Sequence, residues 1–308
     1  MKPDPTVVAR LRAGGCVFAE DEAELLTSAA SSPAVLDALV ARRVAGEPLE
    51  QVVGWATFAG LRILVEPGVF VPRLRSEFLV SVAVSLAVPS LAAPGPVIVD
   101  LCCGTGALGL AAATALGDGE LHASDLDPAA VACARRNVEP AGGRVYAGDL
   151  FAALPGSLRG RVDVLICNAP YVPSSEIEFM PAEAREHEAL VALDGGLDGL
   201  AVLRRVAAAA PDWLAPGGAL LVETSSRQAP TMAAAMAAAG LAADTHADDE
   251  YGATVVTGRR RRALGSFKGY GDEGQQRAAA GSAGGAAPAR GRGRGERSGE
   301  RGDGRRSR

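Results

Sequence analysis

Asn168-Ala169-Pro170-Tyr171 leaves the end of an apolar run, Val162 to Cys167. A planar amide or aryl amine is a poor nucleophile, because its nitrogen lone pair is delocalised. For such a nitrogen to take up a methyl group, its lone pair must be aimed at the donor. The Asn168 side-chain oxygen and the Ala169 carbonyl supply two acceptors for the two N–H groups, and both favour the positive charge that develops on nitrogen. Pro170 stiffens the turn and Tyr171 offers a flat face to a planar group. No general base is needed first, since the proton can leave after transfer. These four residues are therefore the candidate catalytic and substrate-binding set. An ordinary Asn-x-Pro turn would leave the aromatic and the polar Asn at this place without a task.

A second constellation precedes it. Asp100-Leu-Cys102-Cys103-Gly104-Thr105-Gly106-Ala-Leu-Gly109 reads as a glycine turn between a strand and a helix. Such a turn lets a ligand approach backbone at the carboxyl end of a sheet. The next strand ends on Asp125, about twenty residues on, where a carboxylate can accept from the two hydroxyls of a ribose. Gly104, Gly106 and Gly109 fit dinucleotide binders as well, so NAD competes. Asp100, and Asp149 after the third strand, favour S-adenosylmethionine; in methyltransferases of this type, acids at such positions reach the methionyl end and the adenine amino group. The expected cofactor residues are Asp100, Cys102, Cys103, Gly104, Thr105, Gly106, Asp125, Asp149, Leu150 and Asn168. An oxidoreductase would leave Asn168 to Tyr171 idle.

Elements that could hold these residues alternate from Val97 onward. Strands are expected at Val97–Leu101, Glu120–Ser124, Arg144–Ala147, Val162–Cys167, Ala219–Glu223 and Ala253–Thr257. Helices are expected at Leu108–Leu116, Pro128–Asn137, Leu197–Leu214 and Gln228–Ala239. That alternation predicts a doubly wound α/β domain around a parallel sheet. Upstream, helical spacing covers Glu20 to Ala30 and Pro33 to Val44, the latter with Ser32 as N-cap and proline at N1. Residues 51–71 read as a hairpin turning near Ala59-Gly60, followed by a helix from about Ser76 to Ala87.

The 308 residues carry 31 Lys+Arg against 36 Asp+Glu, a net charge of −5. That sum hides a division. Residues 259–308 hold 14 basic and 5 acidic residues, a balance of +9, leaving 17 and 31 in residues 1–258, a balance of −14. The tail from Gly265 holds 13 of the 38 glycines and few large apolar side chains, so it is expected to be disordered. Its Arg290-Gly-Arg-Gly-Arg-Gly295 run allows a weak RNA or ribosome association, although a solvated tail is the simpler reading. No apolar run reads as a membrane span, and acidic Glu20 to Glu22 oppose a secretion signal. Five cysteines without a C-x-x-C, and three histidines, suggest neither a disulfide framework nor a metal site. A monomer in a reducing cytoplasm is expected.

The motifs together resemble the protein N(5)-glutamine methyltransferases of the PrmC/HemK type. The likeness runs over roughly residues 10–260: Glu47-Pro48, Gly54, Phe58, Gly60 and Pro67-Gly68, then Pro72-Arg73…Glu77, Asp100 to Gly106, Asp125, Asp149 and Asn168 to Tyr171. It continues through Glu188, Ala192 to Gly196, Asp198-Gly199-Leu200, Pro216 to Gly218 and Glu223…Gln228. The resemblance implies a seven-stranded class I S-adenosylmethionine-dependent methyltransferase domain. It also implies as substrate the glutamine of the Gly-Gly-Gln motif in a peptide-chain release factor. Residues 1–50 would then be a helical substrate-recognition domain, 51–72 a β-hairpin linker, 73–262 the catalytic domain and 263–308 the tail. Five departures stand out: Ala169 for the first proline of N-P-P-Y, Pro72-Arg-Leu-Arg-Ser-Glu77 for P-R-P-E-T-E, Cys102 for a glycine, Ala189 for a proline and Leu150 for an aromatic. Amino-group methylation of nucleic acid, of the N6-adenine type, uses the same Asn-led turn and ranks second. The acidic body opposes it, since phosphate contacts need basic surface.

Overall fold

The computed structural model describes residues 4–87, 95–117 and 119–262; the tail expectation lies outside the described residues. Four helices open the chain: α1 (Pro5–Ala13), α2 (Ala19–Ala29), α3 (Pro33–Val44) and α4 (Leu49–Val53). Local chemistry sets their starts. The Asp4 side chain accepts from the Thr6 N–H at 2.8 Å and Ser32 from the Val35 N–H at 3.3 Å, each with proline directly after the cap. Leu11, Ala19, Ala23, Leu26 and Val40 close a small apolar core of their own.

Strands β1 (Trp55–Phe58) and β2 (Leu61–Leu64) pair antiparallel. Ala59 and Gly60 both take positive φ, 48° and 74°, as a two-residue hairpin turn demands. Asn137 ties this hairpin to the rest: its Oδ1 accepts from the Leu64 N–H, and its Nδ2 donates to the carbonyls of Leu64 and Thr105. A 3-10 turn, Leu74–Ser76, then leads into α5 (Glu77–Ala87).

The remaining strands form one sheet: β3 (Val97–Leu101), β4 (Glu120–Asp125), β5 (Arg144–Ala147), β6 (Val162–Cys167), β7 (Leu214–Glu223), β8 (Ala242–Asp248) and β9 (Ala253–Arg259). Its order is β5-β4-β3-β6-β7-β9-β8. Side chains alternate between the faces. Ile98, Val164, Ile166 and Leu221 pack with α5, α6 (Ala107–Leu116) and α7 (Pro128–Val138). Val99, Leu101, Leu165 and Val222 pack with α9 (Ala201–Trp213) and α10 (Ala229–Ala238). The order reverses between β3 and β6, so a crevice opens beyond their carboxyl ends. Among the described residues, no helix is long and apolar enough to cross a membrane.

Four features differ from expectation. The sheet is mixed, because β9 runs antiparallel to β7. β8 was not among the expected strands; it is an edge strand with most side chains exposed, so it carries no apolar run to betray it. The expected boundary between residues 50 and 51 falls inside α4, where β-branched Val52 and Val53 suggested a strand. The helix α8 (Ala182–His187) occupies a stretch left without an element.

The approach of α6 to β3 is close. A Cβ on Gly109 would lie 2.8 Å from the Asp100 Cβ and 3.0 Å from the Leu121 Cδ1. Gly109→Ala is therefore expected to lower unfolding free energy by about 1–3 kcal/mol despite the better helix propensity of alanine. Urea titration measures this, and an unchanged midpoint would contradict the packing argument.

Candidate active site

A single cavity lies over the carboxyl ends of β3, β4 and β6. Cys102, Cys103, Gly104 and Thr105 form one wall, Asp125, Asp149 and Leu150 a second, and Asn168 to Tyr171 a third. The 3-10 turn before α5 closes the fourth side with Arg73, Arg75 and Ser76. Two remote sequence motifs thus share one space.

Asp125 organises the glycine turn. Its Oδ2 accepts from the Gly104 N–H at 2.8 Å and its Oδ1 from the Asp127 N–H at 2.9 Å. Burial raises its pKa, against the lowering by these backbone donors. Each carboxylate oxygen keeps a further lone pair for a hydroxyl donor. Gly104 has φ 54° and open space where a Cβ would stand, so a ligand can come directly onto the backbone. Cys102 holds φ 55° without the freedom of glycine, and Leu150 holds 48°. The Cys103 thiol is pushed well up by burial. Cys167 is pushed up by its hydrogen bond with Cys102 and by burial. Both thiols therefore stay protonated.

Two expected cofactor residues, Asp100 and Gly106, are not among the residues lining the cavity. Gly106 does not line the cavity; a Cβ there would lie 2.6 Å from the Val138 Cγ2, so it is a packing glycine. Asp100 is 1% exposed and also stands apart from the cavity, with its Oδ2 accepting from the Gly109 N–H at 2.9 Å. Asp149 does face the cavity, but its Oδ2 accepts from Arg205 Nη2 at 2.5 Å, a partner that sequence reasoning missed.

Burial pushes the Asp100 carboxyl up to about 7; the Gly109 N–H opposes the shift and the Asp125 charge adds to it. The unfolded carboxyl titrates near pH 4. Between those values the folded state holds a proton that the unfolded chain has released. The stability contributed by Asp100 is thus full below about pH 4 and lost as pH rises through 7. Asp100→Asn keeps an oxygen for Gly109 and removes this loss. Its melting temperature should exceed that of the wild type at pH 8 by clearly more than at pH 4.

The Asn168–Tyr171 turn is clamped from behind. Val172 and Asp194 form a parallel bridge, the Gly195 N–H donates to the Val172 carbonyl at 2.8 Å, and Gln228 Nε2 donates to the Tyr171 carbonyl at 2.9 Å. A Cβ on Gly199 would lie 2.2 Å from the Tyr171 carbonyl oxygen. The motifs Asp194 to Gly199 and Gln228 thus act as a buttress.

In front, five side chains form a chain of hydrogen bonds. Asn168 Nδ2 donates to Ser76 Oγ at 3.3 Å, and Ser76 Oγ donates to Glu223 Oε2 at 2.5 Å. Glu223 Oε1 accepts from the Tyr171 hydroxyl at 2.8 Å and from Arg75 Nε at 3.0 Å, while Arg75 Nη2 donates to Tyr171 Oη at 2.8 Å. Burial and the Glu223 carboxylate push the Tyr171 phenol upward, only partly offset by Arg75, so it remains neutral. Ser76 was overlooked as a site residue. Glu223 offered a signal, being an acid at the carboxyl end of an apolar strand beside the crevice. A second pair braces the entrance: Arg73 Nη2 donates to the buried Glu188 at 2.5 Å.

A family model described as the methyltransferase small domain matches residues 60–246. The release factor glutamine methyltransferase of Streptomyces coelicolor is 41% identical over 190 residues, covering 62% of this chain and 67% of that protein. The one of Geobacter sulfurreducens is 38% identical over 224 residues, covering 72% and 76%. A 4-amino-L-phenylalanine/4-methylamino-L-phenylalanine methyltransferase of Streptomyces pristinaespiralis is 36% identical over 203 residues, covering 65% and 69%. With these matches and the seven-stranded sheet, the chain belongs to the release factor glutamine methyltransferase family, within the methyltransferase small domain.

Proposed function

We propose that this chain methylates the side-chain nitrogen of a protein glutamine, the one in the Gly-Gly-Gln motif of a peptide-chain release factor, using S-adenosylmethionine. The observation that carries the reading is the single cavity shared by the Gly104–Asp125 wall and the Asn168–Tyr171 turn. The residues fit the cofactor: open space beside Gly104 for close approach, Asp125 with free lone pairs for a ribose, and Leu150 with Asp149 for an adenine. When bound, S-adenosylmethionine supplies an electrophilic methyl group on a sulfonium.

The chain's own residues do the rest. Asn168 Oδ1 and the Ala169 carbonyl receive the two N–H groups of the substrate amide, which turns its lone pair toward the cofactor side. The same two dipoles stabilise the charge growing on nitrogen. Tyr171 and Pro170 fix the plane of the amide. Residues 1–50 and the hairpin segment 51–72 serve substrate recognition in this reading, and a cytoplasmic location suits a release factor substrate.

A second reading, transfer to an aryl amine of a free amino acid, has the Streptomyces pristinaespiralis relative in its favour. Transfer of tritiated methyl from S-adenosylmethionine separates these readings. The protein is offered release factor, RNA, DNA and 4-amino-L-phenylalanine in parallel. Label in the release factor is expected; label in nucleic acid or the amino acid alone refutes the proposal.

A further inference from the structure

We infer that Ser76, held by Glu223, is the positioning residue that decides which way round the Asn168 amide sits. The inference rests on the reading of Asn168 as the acceptor for the substrate amide. A carboxamide has two ends of similar shape and opposite polarity, and only the oxygen end serves that task. Something in the protein must choose the end.

Ser76 makes the choice through the count of its hydrogens. Its hydroxyl carries one, and Glu223 Oε2, at 2.5 Å, can only accept. Toward Asn168, at 3.3 Å, the hydroxyl therefore presents only lone pairs. The NH2 end of Asn168 is bound there and its oxygen is turned away from Ser76. Ser76 is 1% and Glu223 2% exposed, so their hydrogen bond is shielded from bulk water. Arg75 and the Tyr171 hydroxyl both donate to the other oxygen of Glu223, which keeps the carboxylate surrounded by donors. This gives a reason for the basic residue in Pro72-Arg-Leu-Arg-Ser-Glu77: the Arg75 guanidinium is the counter-charge of a buried acid.

The polarity is reversible by one substitution. In Glu223→Gln the carboxamide can donate to Ser76, whose hydrogen is then free to turn to Asn168. The Asn168 amide then flips and offers N–H where the substrate also offers N–H. Shape and packing change little.

The test has a structural and a kinetic arm. Neutron diffraction from deuterated crystals with S-adenosylhomocysteine locates the deuterium atoms of the Asn168 amide. They should lie on the Ser76 side in the wild type and on the opposite side in Glu223→Gln. The same orientation in both, or the reverse in the wild type, overturns the inference whatever the substrate is. In methyl transfer to release factor, Ser76→Ala and Glu223→Gln should each lower kcat by about 100-fold. Affinity for S-adenosylhomocysteine should stay within about twofold, and Ser76→Thr should restore most of the rate, because its hydroxyl supplies the same single hydrogen. The double variant should be no worse than the weaker single one, as for groups acting in one chain. Wild-type kcat in Ser76→Ala, or independent losses that multiply in the double variant, would refute it. A wild type that leaves release factor unmodified counts against the proposed function alone, since the neutron arm still decides the inference.

Discussion

Asn168→Ala is expected to lower methyl transfer by about 1000-fold while leaving the affinity for S-adenosylhomocysteine unchanged. The side-chain oxygen is one of only two acceptors assigned to the substrate nitrogen. Its removal frees the amide plane to rotate and leaves the developing positive charge facing an apolar gap. Both effects belong to the transition state, so kcat falls more than KM rises. The cavity wall made by Gly104 and Asp125 does not depend on Asn168, which is why binding of the product cofactor survives. Single-turnover transfer and calorimetric titration measure the two quantities separately. Activity within tenfold of the wild type would remove Asn168 from the mechanism; joint loss of binding and rate would make it structural.

Asp125→Ala should show the opposite pattern, a loss of cofactor affinity of at least about 100-fold. Two hydrogen bonds to a charged acceptor are worth about 1.5–3 kcal/mol each, and each 1.4 kcal/mol is about tenfold in affinity. The Gly104 and Asp127 N–H groups also lose their acceptor, so the glycine turn loosens and the melting temperature falls. Calorimetric titration with S-adenosylhomocysteine reads the affinity. Affinity unchanged in this variant would refute the ribose assignment. Stabilisation of the wild type by NAD in place of S-adenosylhomocysteine would refute the cofactor.

Legibility in the sequence followed the range of the interactions. The placement of the Asn168–Tyr171 turn and of Asp125 at one cavity was readable because each is a short polar interruption at the end of an apolar strand. Helix α3 was readable to the residue, since Ser32, Pro33 and the apolar spacing all act locally. The strand β8 was not, because an exposed edge imposes no apolar pattern. Ser76 and Glu223 meet across 147 positions, and only the folded sheet brings them together. The contact made by Asp100 was not legible in the sequence either. The turning of its carboxylate toward Gly109 depends on how closely α6 seats on β3. The close approach of Gly106 to Val138, at the end of α7, likewise depends on the assembled fold.

The charge division has a counterpart in the site. The acids singled out in the folded body, Asp100, Asp125, Asp149 and Glu223, all receive hydrogen bonds from backbone N–H groups or side chains near the cavity. The arginines beside them are largely taken up as well: Arg75 by Glu223, Arg73 by Glu188 and Arg205 by Asp149. Among the described residues, these three cavity-lining arginines are thus each paired with an acid.

The most direct test is mass spectrometry of release factor incubated with the full chain and S-adenosylmethionine. The account predicts that the peptide carrying Gly-Gly-Gln gains the mass of one methylene, with fragment ions placing it on the glutamine side chain. An unmodified Gly-Gly-Gln peptide, alongside methyl groups transferred to RNA, DNA or an aryl amine, would contradict it.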